Sequence, residues 1–227
     1  MLPYSSTTVA EALLTALDIA VTARGRATLA IPGGRSPGPV LTELARRCEP
    51  YLRKRLHLFW LDERAVPLGH AERNDAPSLA AWRRGGPLPT FIHPMPAEDA
   101  DLEAAAERYA ATLAEATGGG ALDACLVGMG EDGHVASLFP HQAGLQELSP
   151  VFVVRDSPKP PAIRLTLGLS VLNQAQAVMV LVLGAAKGVI AARAWRGPDP
   201  ALPVSLLPRE RTWWYLDDDA AAACRPT

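Results

Sequence analysis

Cysteine is scarce in this chain of 227 residues. Its three copies, Cys48, Cys125 and Cys224, are too few and too scattered for a disulfide framework or a zinc site. A reducing compartment fits that usage, and Cys125, inside an apolar run, reads as a small core residue. Aromatic residues make up only 6% of the chain, and no basic stripe interleaves with them. With a formal net charge of −2, this leaves no general attraction for nucleic acid or anionic lipid. The longest apolar region, around residues 175–186, contains Gln176 and Gly184 and is too short to span a bilayer. The N-terminus, MLPYSSTTVAEALL, lacks a basic segment ahead of an apolar core, so a secretory signal is not expected. Internal repeats and low-complexity linkers are missing too. The expectation is a single cytoplasmic domain over 1–227, a monomer or small homo-oligomer, with no nucleic-acid or membrane partner.

Hydrophobic residues supply 48% of the chain and charged residues 20%, which suits one domain with a substantial core. Thr8 with Glu11 reads as a capping box ahead of an apolar stripe at Val9, Leu13, Leu14, Leu17 and Val21, with Gly25 as a left-handed stop. Strands are expected over 27–31, 56–61, 122–127, 151–154, 163–167, 177–183 and 212–216. Helices are expected through Val40, Leu41 and Leu44, over 102–113, over 169–173, after Gly184 and at the acidic, Ala-rich C-terminus. Residues 85–96, GGPLPTFIHPMP, read as an irregular connection with His93 as a loop histidine. Strands alternating with helices predict a three-layer α/β fold, a largely parallel, Rossmann-like sheet flanked by helices.

The chemistry-bearing residues gather at the carboxyl ends of these strands, where open α/β sheets bind ligands. The run over 122–127 breaks at Gly128, Gly130 and Gly133, a strand-to-helix turn that holds Asp132 and His134. Pro32–Pro39, PGGRSPGP, leaves the N–H groups of Gly33 and Gly34 uncovered, with Ser36 as a cap and Pro37 at the first helical position. A glycine turn at a helix N-terminus is an anion site, though a plain connecting turn has the same composition. The strand over 56–61 delivers Asp62, Glu63 and Arg64, too costly to bury unpaired and so either exposed or part of a site. In IRLTL, Arg164 and Thr166 alternate with apolar residues. Lys187 falls in the first turn of a helix, where a cation is unfavourable unless it meets an anion or points to solvent.

These pieces together resemble the 6-phosphogluconolactonases, in the superfamily that also contains glucosamine-6-phosphate deaminase. The resemblance is carried by PGGRSP at 32–37, LDERAVP at 61–67, GMGEDGHVASLFP at 128–140, PAIRLTL at 161–167 and GAAKG at 184–188. Arg35, where a small hydroxyl residue is common in the family, and Glu72-Arg73 ahead of Asn74 depart from the pattern. The resemblance implies a fold of glucosamine-6-phosphate deaminase type. It also implies hydrolysis of 6-phospho-D-glucono-1,5-lactone to 6-phosphogluconate, without a metal or organic cofactor. His134 would be the general base. Asp132 would orient it or shape the turn. Arg64 would meet the oxyanion or be locked to Asp62 or Glu63. Arg164, Lys187, Gly33 and Gly34 would hold the phosphate, with Arg35, Ser36, Asp62 and Gly130 as further substrate contacts. Two alternatives stay open, an aldose–ketose isomerase or deaminase of the same superfamily and a non-catalytic sugar-phosphate sensor. Phe139 separates the first, because the deaminases continue from GEDGH into a segment with Glu at that position.

Overall fold

The computed structural model describes residues 1–224. Seven strands form one sheet in which every neighbouring pair is parallel. Across the sheet they run β1 (Leu2–Pro3), β10 (Thr212–Leu216), β9 (Val178–Val182), β6 (Ala124–Gly128), β2 (Ala27–Ile31), β3 (Leu56–Trp60) and β5 (Phe91–His93). From β2 the chain steps outward through β3 to β5, and from β6 it steps the other way through β9 and β10. The direction reverses between β2 and β6, and such a switch point is where open sheets bind ligands.

The strands are nearly all apolar because both faces are covered. Side chains alternate between two cores with the period of two that a strand imposes. In β3, Leu58 and Trp60 pack under α1 (Ser6–Arg24) and α2 (Gly38–Arg47), whereas Phe59 joins the opposite core with Tyr109 of α5 (Leu102–Thr117). The Tyr109 hydroxyl accepts from the Trp60 N–H at 2.8 Å and donates to the Trp60 carbonyl at 3.1 Å, pinning α5 across the strand. Helix α1 is long and apolar enough, by length and composition, to cross a membrane. Here Val9, Leu13, Leu17 and Val21 enter the core instead, the stripe expected for it.

Several expectations change. The N-cap of α1 is Ser5, whose Oγ accepts from the Thr8 N–H at 3.0 Å, so the helix begins ahead of the expected capping box. Ser36 makes no cap bond to α2, and Pro37 is itself the cap residue. Residues 85–96 are not wholly irregular: Phe91–His93 pairs in parallel with His57–Phe59 as the edge strand β5. Prolines at 87, 89, 94 and 96 hid it, and prolines are tolerated beside an edge. His93 therefore lies on a strand, stacked on Phe59. Helix α4 (Asp75–Gly85) was not expected, because Pro77 falls in its sequence; Pro77 sits in the first turn, where proline is allowed. Finally, the strand expected over 163–167 does not join the parallel sheet. As β8 (Arg164–Leu167) it forms a second, antiparallel sheet between β4 (Asp62–Arg64) and β7 (Val151–Val154).

Candidate active site

Strand β6 ends at Gly128, and the loop beyond it turns back on itself rather than entering the expected helix. Gly130 N–H donates to the His134 carbonyl and Gly133 N–H to the Gly130 carbonyl, both at 3.0 Å, and Met129 bridges Val135. Gly133 has φ +79°, the left-handed region that favours glycine. At Gly130 a Cβ would lie 2.1 Å from His134 Nδ1 and 2.5 Å from Asp132 Oδ1. The missing side chain is the space in which the imidazole meets the carboxylate. His134 Nδ1 is hydrogen-bonded to Asp132 Oδ1, which also accepts from the His134 backbone N–H at 3.3 Å. Asp132 thus bonds both the turn backbone and the ring. Burial pushes the Asp132 carboxyl up, but the hydrogen bond and charge of His134, with Lys159, outweigh it and hold the group well below the carboxylate range. With Nδ1 engaged, Nε2 is the ring nitrogen without a protein hydrogen bond among the described residues.

The small antiparallel sheet brings the arginines. Arg64 of β4 and Arg164 of β8 are register partners, and like charges directly opposite each other repel. Arg164 is buried, and its guanidinium is pushed down first by that burial and then by Arg64. Arg64 is not locked to Asp62 or Glu63. Its Nη1 donates to the Glu72 carbonyl at 2.8 Å with Glu72 Oε2 at 3.5 Å, and its Nε is buried without a partner among the described residues. An anion between the two arginines would relieve both the repulsion and the unpaired donor.

Asp62 and Glu63 are both buried, and each has a different use. Asp62 Oδ2 accepts from Ser137 Oγ at 2.8 Å and lies 3.8 Å from Arg164 Nη1. Glu63 faces away from the cleft and caps α4, accepting the N–H groups of Asn74 and Asp75 at 2.8–3.0 Å. Burial raises its carboxyl, against those bonds and nearby Arg73. Asn74 then donates from Nδ2 to the Asp62 carbonyl at 2.9 Å and packs on Gly33, where a Cβ would fall 1.8 Å from Asn74 Oδ1. Gly33 is required by that close approach, whereas Gly34 (φ +84°) meets open space.

Ten of the eleven residues expected at the site line one cleft of about 180 Å³ at the switch point. Gly33, Gly34, Arg35 and Ser36 come from the loop after β2, Asp62 and Arg64 from β4, and Gly130 and His134 from the loop after β6. Arg164 comes from β8 and Lys187 from the first turn of α7 (Ala185–Ala194). Asp132, the remaining one, stands behind His134. Burial lowers the Lys187 ammonium, opposed by Glu131. The second glycine of GAAKG belongs to the scaffold, since a Cβ at Gly188 would meet the Ala220 carbonyl of α8 (Asp218–Ala223) at 2.3 Å. Asn74, Ser137 and Lys159 were not anticipated as site residues; the Pro-flanked cation of SPKPP was the one available signal. Among the described residues, no three His, Cys, Asp or Glu side chains converge to hold a metal ion. A larger groove of about 510 Å³ lies between α1 and β9–β10, lined by Ala16, Ile19, Met179 and Trp213. Its charged pair, Arg24–Asp123, is engaged with Thr28.

Residues 5–214 match the family model described as glucosamine-6-phosphate isomerases/6-phosphogluconolactonase. The chain is 40% identical over 222 residues to a 6-phosphogluconolactonase of Mycobacterium leprae, covering 92% of this chain and 90% of that protein. It is 35% identical over 223 residues to one from Synechocystis, covering 93% and 90%. The crystal structure of 6-phosphogluconolactonase from Thermotoga maritima superposes with a TM-score of 0.84 at 27% identity, over 96% of this chain and 97% of that one. A monomeric glucosamine-6-phosphate deaminase shares the fold, with a TM-score of 0.73 at 18% identity over 98% of each chain. With the family model spanning residues 5–214 and relatives 35–40% identical over most of both chains, the chain belongs to the glucosamine-6-phosphate isomerase/6-phosphogluconolactonase family.

Proposed function

We propose that this chain hydrolyses 6-phospho-D-glucono-1,5-lactone to 6-phospho-D-gluconate, in the oxidative pentose phosphate pathway. One observation carries the reading: a histidine bonded to a carboxylate at Nδ1, with no protein bond at Nε2 among the described residues, shares a small cleft with two arginines opposed in register, and Arg64 Nε there is buried without a partner. His134 Nε2 takes a proton from water as the oxygen attacks C1, and Asp132 stabilises the imidazolium that forms. The tetrahedral oxyanion meets Arg64 or the N–H groups of the glycine turns. Collapse expels the ring oxygen, which takes the proton back from His134. Arg164 and Lys187, with the N–H groups of Gly33 and Gly34, hold the phosphate. Arg35, Ser36, Asp62 and Gly130 shape the sugar-facing wall. A cytoplasmic location and a monomer or small homo-oligomer belong to the same reading. The test is a coupled assay on freshly generated lactone, corrected for spontaneous hydrolysis; a rate no higher than the spontaneous one rejects it.

Phe139 weighs against the deaminase alternative. It is 1% exposed and its ring packs 4.8 Å from that of His134, where a deaminase needs a carboxylate. An apolar ring cannot move protons between C1 and C2. Ammonia release from glucosamine 6-phosphate at rates comparable with lactone hydrolysis would favour that alternative.

A further inference from the structure

Lys159 touches the His134–Asp132 pair yet has no part in the chemistry above. Its Nζ lies 3.1 Å from Asp132 Oδ2 and 3.3 Å from His134 Nδ1. Both Lys159 and Asp132 meet the imidazole at Nδ1, the ring nitrogen other than Nε2. Only three of the chain's 22 basic residues are lysines, and two of these, Lys159 and Lys187, are at this site.

The position is a built one. Lys159 lies in the turn over 157–161, where its N–H donates to Ser157 Oγ at 3.3 Å and its carbonyl accepts from Ser157 Oγ at 2.8 Å. Arg164 Nη2 donates to the same carbonyl at 2.9 Å and to that of Pro160 at 3.2 Å, and Arg164 Nε donates to that of Pro161 at 3.1 Å. A buried guanidinium thus fixes the backbone from which a half-exposed ammonium reaches the catalytic pair.

We infer that Lys159 is a positioning residue for the hydrolysis: it shares Asp132 with His134, so that the carboxylate orients the imidazole with less pull toward a second proton on the ring. Asp132 alone favours the imidazolium, which has no lone pair at Nε2. Lys159 counters this twice, by donating to the second carboxylate oxygen and by placing a positive charge against the ring. The other charged groups sharing the loop or cleft of the ring are Glu131 on its own loop, Arg35 after β2, Asp62 and Arg64 on β4, Arg164 on β8 and Lys187 on α7. The four cations among them line the cleft, where substrate phosphate would offset their charge.

The kinetic arm of the test rests on the lactonase reading; a spectroscopic arm does not. In Lys159→Met the acid limb of kcat/KM moves to higher pH by on the order of one pH unit, the scale of one close charge in a largely aqueous dielectric. Turnover on the alkaline side of the limb stays near that of the wild type, and Lys159→Arg keeps the wild-type limb. The imidazole resonance of His134, identified by its loss in His134→Asn, titrates at correspondingly higher pH in Lys159→Met. A raised KM with an unmoved limb and an unmoved resonance would make Lys159 a phosphate ligand and overturn the inference. So would equal loss of activity at every pH in a folded variant. A wild type without lactonase activity would reject the reading of the reaction, while a moved resonance would still support the coupling.

Discussion

Arg73→Met tests what holds one wall of the cleft. The Arg73 side chain is 0% exposed. It meets Asp75 Oδ2 and Glu98 Oε2 at 2.8 Å, and donates to the carbonyls of Val66 at 3.3 Å and Met95 at 3.2 Å. Glu63, also 0% exposed, lies 3.8 Å away. Methionine keeps much of the length and none of the charge. Asp75 and Glu98 are 14% and 28% exposed and can turn to water, so the penalty falls on Glu63. Removing one partner of a buried pair costs about 3–5 kcal/mol. Glu63 retains its bonds from the N–H groups of Arg64, Asn74 and Asp75, which places the cost at the low end, about 3 kcal/mol. Out of a total of about 5–15 kcal/mol the variant still folds, with Tm lower by about 6–12 °C. Urea melts should show a lower midpoint at unchanged slope. The sign of the pH dependence follows from Glu63. Its carboxyl is already raised by burial, and losing Arg73 raises it further. A carboxyl raised in the folded state favours folding at low pH and disfavours it as pH rises. The deficit should therefore shrink as pH falls from 7 toward the carboxylate range. A deficit below about 1 kcal/mol at pH 7, the scale of an exposed pair, or one independent of pH, would refute this account.

His134→Asn should lower kcat on the order of a hundredfold or more, the scale of a lost general base, in a protein of unchanged melting behaviour; near-normal turnover rejects the role. Lys187→Ala should raise KM with less effect on kcat, at about 1.5–3 kcal/mol for a lost charge-assisted bond. The check is the preference for phosphorylated over unphosphorylated gluconolactone, which should narrow. Arg164→Ala should raise KM and also move the acid limb of kcat/KM to higher pH, because Arg164 also carries the turn of Lys159; a KM effect with an unmoved limb would argue that the turn holds itself. At the sheet edge, His57 Nδ1 and His93 Nε2 lie 3.0 Å apart, so one ring must stay neutral. Burial, then Arg26 for His57 and His57 for His93, lowers both below the usual histidine value, against Glu115. The unfolded chain binds those protons first, so stability is lost as pH falls through about 6.5. His93→Phe should flatten that arm of the pH–stability curve, and an unchanged curve would count against the pair.

The parts of the fold legible in the sequence were those with local signals. The apolar strands, the Gly25 stop and the glycine turns with His134 each announce themselves within a few residues. What stayed hidden depends on partners far along the chain. Helix α4 is capped by Glu63, more than ten residues before it, while Asn74 at its own N-cap position makes no side-chain cap bond and turns to Asp62 instead. The pairing of β4 with β8 joins residues about a hundred positions apart, and with it came the opposition of Arg64 to Arg164. Lys159 was hidden for the same reason: a Pro-rich turn reads as a connection until the fold lays it against Asp132.

Ser137 has a consequence for how the cleft opens. Its Oγ donates to Asp62 and its N–H to Thr166 Oγ1 at 3.2 Å, while the Leu167 N–H donates to the Leu61 carbonyl at 2.8 Å. The histidine loop, β4 and β8 are therefore stitched at one buried knot, and none can swing out while the other two stay. Opening this wall of the cleft therefore breaks those bonds together. In native-state hydrogen exchange the amides of Asn74, Ser137 and Leu167 should open together, with one free energy, as a single cooperative unit.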